Sequence, residues 1–152
     1  MTTDLYSPFL DATRNVFQLM LDLSDIEDRP SGGERPAEDA LSISIGVIGD
    51  LTGEVLYHFP KETSLNMVTI MSGMELDAVD DFVTSAISEI ANIISGNVLT
   101  LLSGSNLKCD ILPPVPASAQ DDGVYALRTA CCLSTSAGDL CLDIRLNSAH
   151  PS

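Results

Sequence analysis

The chain has 152 residues, 22 acidic against 7 basic, for a net charge of −15, and is 45% hydrophobic with 5% aromatics and no Trp. That length buries a proper core and suggests one domain over residues 1–152, built mostly from aliphatic side chains rather than left disordered. So acidic a surface repels phosphate backbones and anionic lipid, which argues against nucleic acid and membrane partners and favours a protein partner that offers basic residues.

The N-terminus, MTTDLYSPFL, shows neither a basic nor an apolar signal region, and no run approaches the roughly 20 apolar residues of a membrane span. A soluble, cytoplasmic protein is expected. Residues 5–22 carry Leu5, Phe9, Ala12, Val16 and Leu19, followed by Leu23, at helical steps, with Ser7 and Pro8 as cap and first turn. The charged, Gly- and Pro-rich stretch SDIEDRPSGGERPAEDA reads as a mobile loop.

Next, Leu41, Ile43, Ile45 and Val47 alternate with polar neighbours, as do Val55, Tyr57 and Phe59. The intervening Gly49–Gly53 segment predicts a hairpin turn. Helical spacing returns over 61–74, with Gly73 as a stop. A long helix is expected from about Leu76 to Leu102, its first turns acidic as the helix dipole favours. A short strand, a Pro-rich loop and a second hairpin turning near Ser136–Asp139 complete the chain, with Leu140, Leu142, Ile144 and Leu146 on one face.

Each half thus begins with a helix and ends with a hairpin, which suggests an internal duplication. The fold class is α+β: a two-layer arrangement of an antiparallel-rich sheet with long helices on one face.

Chemistry-bearing motifs are sparse. There is no phosphate-binding Gly-rich loop. His58 lies in a strand and His150 at the C-terminus, so neither suits a Ser-His-Asp arrangement. Asp80–Asp81 and Asp121–Asp122 read as solvated acids, and no metal site is indicated. Cys109, Cys131, Cys132 and Cys141 form no C-x-x-C pair, and free buried thiols are expected.

One helix stands out. On a wheel of 100° per residue, Ser85, Glu89, Asn92, Gly96 and Ser103 share a narrow stripe. Val79, Val83, Ile87, Ile90, Ile94, Val98 and Leu101 gather on the other side. The small Ser85 and Gly96 would leave Glu89 and Asn92 protruding from low relief, and a mid-helix Gly costs roughly 1 kcal/mol relative to Ala. Spacing alone makes this ordinary solvating surface.

Read at greater length, Ser85–Asn97 gives S-x-x-x-E-x-x-N-x-x-x-G-N, which resembles the signature of the CheC/CheX/FliY family of chemotaxis phosphatases. SPFLDATRNVF (7–17) and IGVIGDLTGEVLY (45–57) are similar to the first helix and first hairpin of its CheX branch. The resemblance implies dephosphorylation of the aspartyl-phosphate of a CheY-like response regulator. Glu89 would pair with the receiver's active-site lysine and Asn92 would orient the attacking water, with Ser85 and Gly96 supporting the docking. This chain would bind no cofactor, the Mg2+ belonging to the receiver, and would form a homodimer. At the corresponding spacing in the first helix stand Ser7, Asp11 and Arg14, which lack the Glu and Asn, so one site per chain is implied. The alternative is a module that docks a receiver or flagellar-switch protein without hydrolysis.

Overall fold

The computed structural model describes residues 6–23, 26–29, 40–104, 106–116 and 127–148. Helix α1, Tyr6–Leu21, buries Phe9, Ala12, Thr13, Val16, Phe17 and Leu21, and the Thr13 hydroxyl donates to the Phe9 carbonyl at 2.8 Å. Leu19, expected on this face, is 82% exposed, because at 100° per residue it falls to the side of the arc that Phe17 and Leu21 occupy. Leu5 lies outside the described residues.

Strand β1, Glu27–Arg29, corrects the expectation of a loop after the first helix. It is short and charged, as suits a sheet edge, and only a distant partner reveals it. Strands β2, Leu41–Gly49, and β3, Leu51–Phe59, form the expected hairpin. Ile43, Ile45, Val47, Val55, Tyr57 and Phe59 are buried on its inner face. Gly53 is required there: its φ is +144°, and a Cβ would collide with the Arg145 carbonyl of the neighbouring strand.

Helix α2, Lys61–Ser72, ends at Gly73 in the left-handed conformation, whose N–H reaches the Thr69 carbonyl. Helix α3 runs Asp81–Ser103, later than the expected start at Leu76. The Asp80 carboxylate caps it by accepting from the Val83 N–H at 3.0 Å, so 76–80 remain outside, with Leu76 and Val79 packed on the core. By length and composition alone α3 would pass for a membrane span. Here its apolar arc is the centre of the core.

After β4, Cys109–Ile111, and β5, Val115–Pro116, come β6, Leu127–Thr135, and β7, Gly138–Ser148. The turn between β6 and β7 is Ser136–Ala137, within the expected span. All pairings are antiparallel, in the order β1-β6-β7-β3-β2-β4, with β5 also beside β2. The order is symmetric about the β7–β3 junction. Each half, α1-β1-β2-β3 or α3-β4-β6-β7, contributes a central hairpin and lends its short strand to the edge of the other half. The helices cover the inner face, where Leu133, Leu140, Leu142, Ile144 and Leu146 join the core.

The outer face is polar. Ser44 donates to Glu54 at 2.9 Å, Arg145 reaches Glu54 at 3.4 Å, and Arg145 meets Asp143 at 2.7 Å while itself only 8% exposed. Cys132 and Cys141 stand directly opposite on this face with Cα atoms 4.1 Å apart, and are joined as a disulfide. This corrects the expectation of free thiols, since only the hairpin register brings the two together. Cys109 remains free and half-buried. Protein purified without reductant, then unfolded and titrated with a thiol reagent, should show two fewer thiols than after reduction.

His58 shares the outer face, its Nδ1 2.8 Å from the Ser42 hydroxyl. Burial lowers its pKa below the ordinary 6.5; Asp143 opposes that shift and Arg145 adds to it. The folded state therefore resists protonation that the unfolded chain accepts. Stability from this group is complete above pH 6.5 and is lost as pH falls from there through the lower folded-state pKa. A His58→Gln variant should lose less stability than the parent between about pH 7.5 and 5.5, as read by urea unfolding at each pH.

Candidate functional site

The rotational setting of α3 decides what the helix shows to solvent. Val83, Ile87, Ile90, Ala91, Ile94, Ser95, Val98 and Leu102 are its buried residues. Leu102 replaces Leu101, which was expected inside but is 37% exposed, and Val79 packs from the loop before the helix. One polar tie pins the arc: the Tyr57 and Ser95 hydroxyls meet at 2.7 Å in the interior between β3 and α3. A buried hydrogen bond tolerates little rotation, so it reinforces the setting that the interdigitated arc already imposes.

With that arc fixed, the polar stripe points outward. Ser85 and Glu89 are exposed, and Asn92 and Gly96 are half-buried. Space around Gly96 is open: nothing lies within 4 Å of where a Cβ would sit. Its carbonyl accepts from the Thr100 hydroxyl at 3.3 Å. Ser103, at the end of the stripe, is exposed. Among the described residues neither Glu89 nor Asn92 makes a side-chain hydrogen bond or ion pair. A carboxylate and a carboxamide one helical turn apart are thus held on a rigid helix of roughly 35 Å with their polar ends unspent.

Such a pair can do limited chemistry alone. The carboxylate attracts a cation, and the amide offers both donors and an acceptor to a water or an oxyanion. Helix α3 places no Cys or His beside them. Among the described residues no three His, Cys, Asp or Glu side chains converge on a common point. Of the other candidates, Asp80 is spent as the cap of α3, while His150, Asp121 and Asp122 lie outside the described residues.

The corresponding stripe of α1 is different. Ser7, Asp11 and Arg14 are exposed, and the Arg14 guanidinium donates to the Ile26 carbonyl at 3.4 Å, tying the helix to the chain entering β1. One residue in line with the α3 stripe escaped attention in the sequence. Phe82, seven positions before Glu89 and so within about 20° of it on the wheel, is 48% exposed. The same wheel could have found it.

Ser95→Ala removes the tie between α3 and β3. It should lower unfolding stability by about 1 kcal/mol in denaturant titration, with the secondary structure retained.

Three comparisons bear on this site. A family model described as chemotaxis phosphatase CheX matches residues 41–135, more than half of the chain. The CheY-P phosphatase CheX of Thermotoga maritima is 36% identical over 78 residues, which cover 51% of this chain and 50% of that protein. The match thus spans about half the length of that relative. Among solved structures, chemotaxis protein CheX from Vibrio vulnificus superposes with a TM-score of 0.79 at 21% identity, covering 95% of this chain and 100% of that one. The CheX–CheY–BeF3–Mg2+ complex from Borrelia burgdorferi gives 0.74 at 24% identity, covering 97% and 100%. FliY of Thermotoga maritima gives 0.65 at 15%, covering 93% and 84%.

Proposed function

Because this chain belongs to the chemotaxis phosphatase CheX family, we propose that it accelerates hydrolysis of the aspartyl-phosphate of a CheY-like response regulator. The observation that carries the reading is the outward, uncommitted Glu89 and Asn92 on a helix locked by its buried arc. A pure docking module would need a surface but not a free carboxamide beside the carboxylate.

In this reading Glu89 pairs with the receiver's active-site lysine and sets the docking register. Asn92 enters beside the phosphoryl group, where its amide holds a water in line with the phosphorus–oxygen bond. The water oxygen forms the new bond to phosphorus as the bond to the aspartyl oxygen breaks. The carboxylate is released, and inorganic phosphate carries away both of the water's protons. The loose transition state of phosphoryl transfer needs positioning and charge neutralisation more than a strong base. The receiver brings its own Mg2+ and lysine, which is why this chain needs neither a metal nor a nucleophile. Ser85 and the open surface at Gly96 give low relief, so the receiver backbone can approach the helix closely.

The acidic surface suits a partner whose contact residue is a lysine. We assign the work to the cytoplasm, with the chain acting in two-component signalling as a homodimer of single CheX-like domains. In a reducing compartment Cys132 and Cys141 would stand as two thiols within reach of each other.

The test is decay of acyl phosphate on the CheY-like receivers of the same genome, each loaded from acetyl phosphate. Asn92→Ala should lower turnover by about 100-fold or more while binding is largely kept. Glu89→Ala should weaken both binding and turnover, by about tenfold in affinity. An unchanged phosphate lifetime with every receiver would overturn the reading.

A further inference from the structure

Of the four phenylalanines, Phe9, Phe17 and Phe59 are at most 3% exposed, whereas Phe82 is 48% exposed. In a chain with so few aromatics, leaving one of them in water is uneconomical. A lone exposed apolar side chain is ordinary on any protein surface. Phe82 is not alone. Among the described residues nine large hydrophobics are exposed, and Ile70, Met71, Met74 and Phe82 fall within one short stretch from the end of α2 to the first turn of α3. Exposed acids stand among them: Glu75, Asp77, Asp80 and Asp81.

Position decides what this surface is for. Phe82 is in line with Glu89, about 10 Å along the axis toward the helix N-terminus, with Ser85 between them. A folded partner that reaches Glu89 and Asn92 must lie along this stripe, because the opposite arc of α3 is inside the core. We propose that Phe82 is the apolar anchor of the receiver-docking surface, seated against an apolar patch that the receiver presents beside basic side chains, with the flanking acids matching those bases. This rests on the reading of Glu89 and Asn92 as the residues that face the receiver. It adds to them the contact that supplies affinity. Polar groups on a helix stripe set register and chemistry, whereas a desolvated aromatic supplies a large share of binding energy at interfaces.

About half of Phe82 is in solvent, so its truncation disturbs the core little, and a Leu in its place keeps most of the apolar area. The experiment titrates the full chain against a CheY-like receiver held in its active form by beryllium trifluoride and Mg2+, and in parallel follows acyl-phosphate decay. Ile48→Ala, an exposed residue of the outer sheet face, is the control. Phe82→Ala should weaken receiver binding about tenfold and raise KM in parallel, with kcat within about twofold. Phe82→Leu should restore most of the affinity, and Ile48→Ala should change nothing. Equal affinity of Phe82→Ala and the parent overturns the inference. So does a loss confined to kcat, or a change in sedimentation showing that Phe82 meets a second copy of this chain. A parent protein that binds receivers without shortening the phosphate lifetime overturns only the phosphatase reading, and the Phe82 comparison still stands on affinity.

Discussion

The rest of the structure depends on how α3 is set against the sheet. Its buried arc, from Val83 to Leu102, packs over the inner face and beside α1, and the Tyr57–Ser95 hydrogen bond fixes the angle. A helix apolar on one side and polar on the other has a strong preference for which side goes in, and close packing narrows its angle within that side. The buried hydroxyl pair adds a directional contact to that packing. Turning the helix by one residue position would carry Glu89 or Asn92 about 100° away from where it stands.

The two faces of the sheet divide the labour. Inside, aliphatic side chains from all three helices and the central strands close the core, and almost every residue is committed. Outside, the polar groups that the strands must carry are tied to one another: Ser44 to Glu54, Glu54 to Arg145, Arg145 to Asp143. Buried charges are tolerated there because each has an opposite partner, where an unpaired one would be costly. The α3 stripe differs from both faces, with polar groups that are near the surface and not spent on the fold.

Much of this was legible in the sequence because the pattern was local. Alternation in 41–47 and 55–59 placed the central hairpin, and the helical period of 83–98 separated the buried arc from the Glu89–Asn92 stripe. What escaped depended on distant partners or on competing signals. Strand β1 is three charged residues whose only evidence is pairing with β6, over 100 residues away. The start of α3 is ambiguous in the sequence because Asp80 reads equally well as a helical acid and as a cap. The disulfide needs the register of the second hairpin, and the two-residue turn Ser136–Ala137 sets Cys132 against Cys141. Leu19 keeps the helical step from Val16 yet sits at the rim of the arc that Phe17 and Leu21 fill. As for the stripe, spacing could say that it was separate from the core, but only the packed helix shows it facing outward.

The exchange of edge strands has a consequence for how the chain reaches this structure. Strand β1 belongs by sequence to the first half yet pairs with β6 of the second, and β4 belongs to the second yet pairs with β2 of the first. Neither half can satisfy its own hairpin edge, so each is the template on which the other finishes. Partial products with one half ordered would expose raw β-edges and an uncovered sheet. The two halves must therefore condense together, through contacts between residues far apart in sequence, which makes for slow assembly and an all-or-none transition. The duplicated architecture is an interlock rather than a tandem.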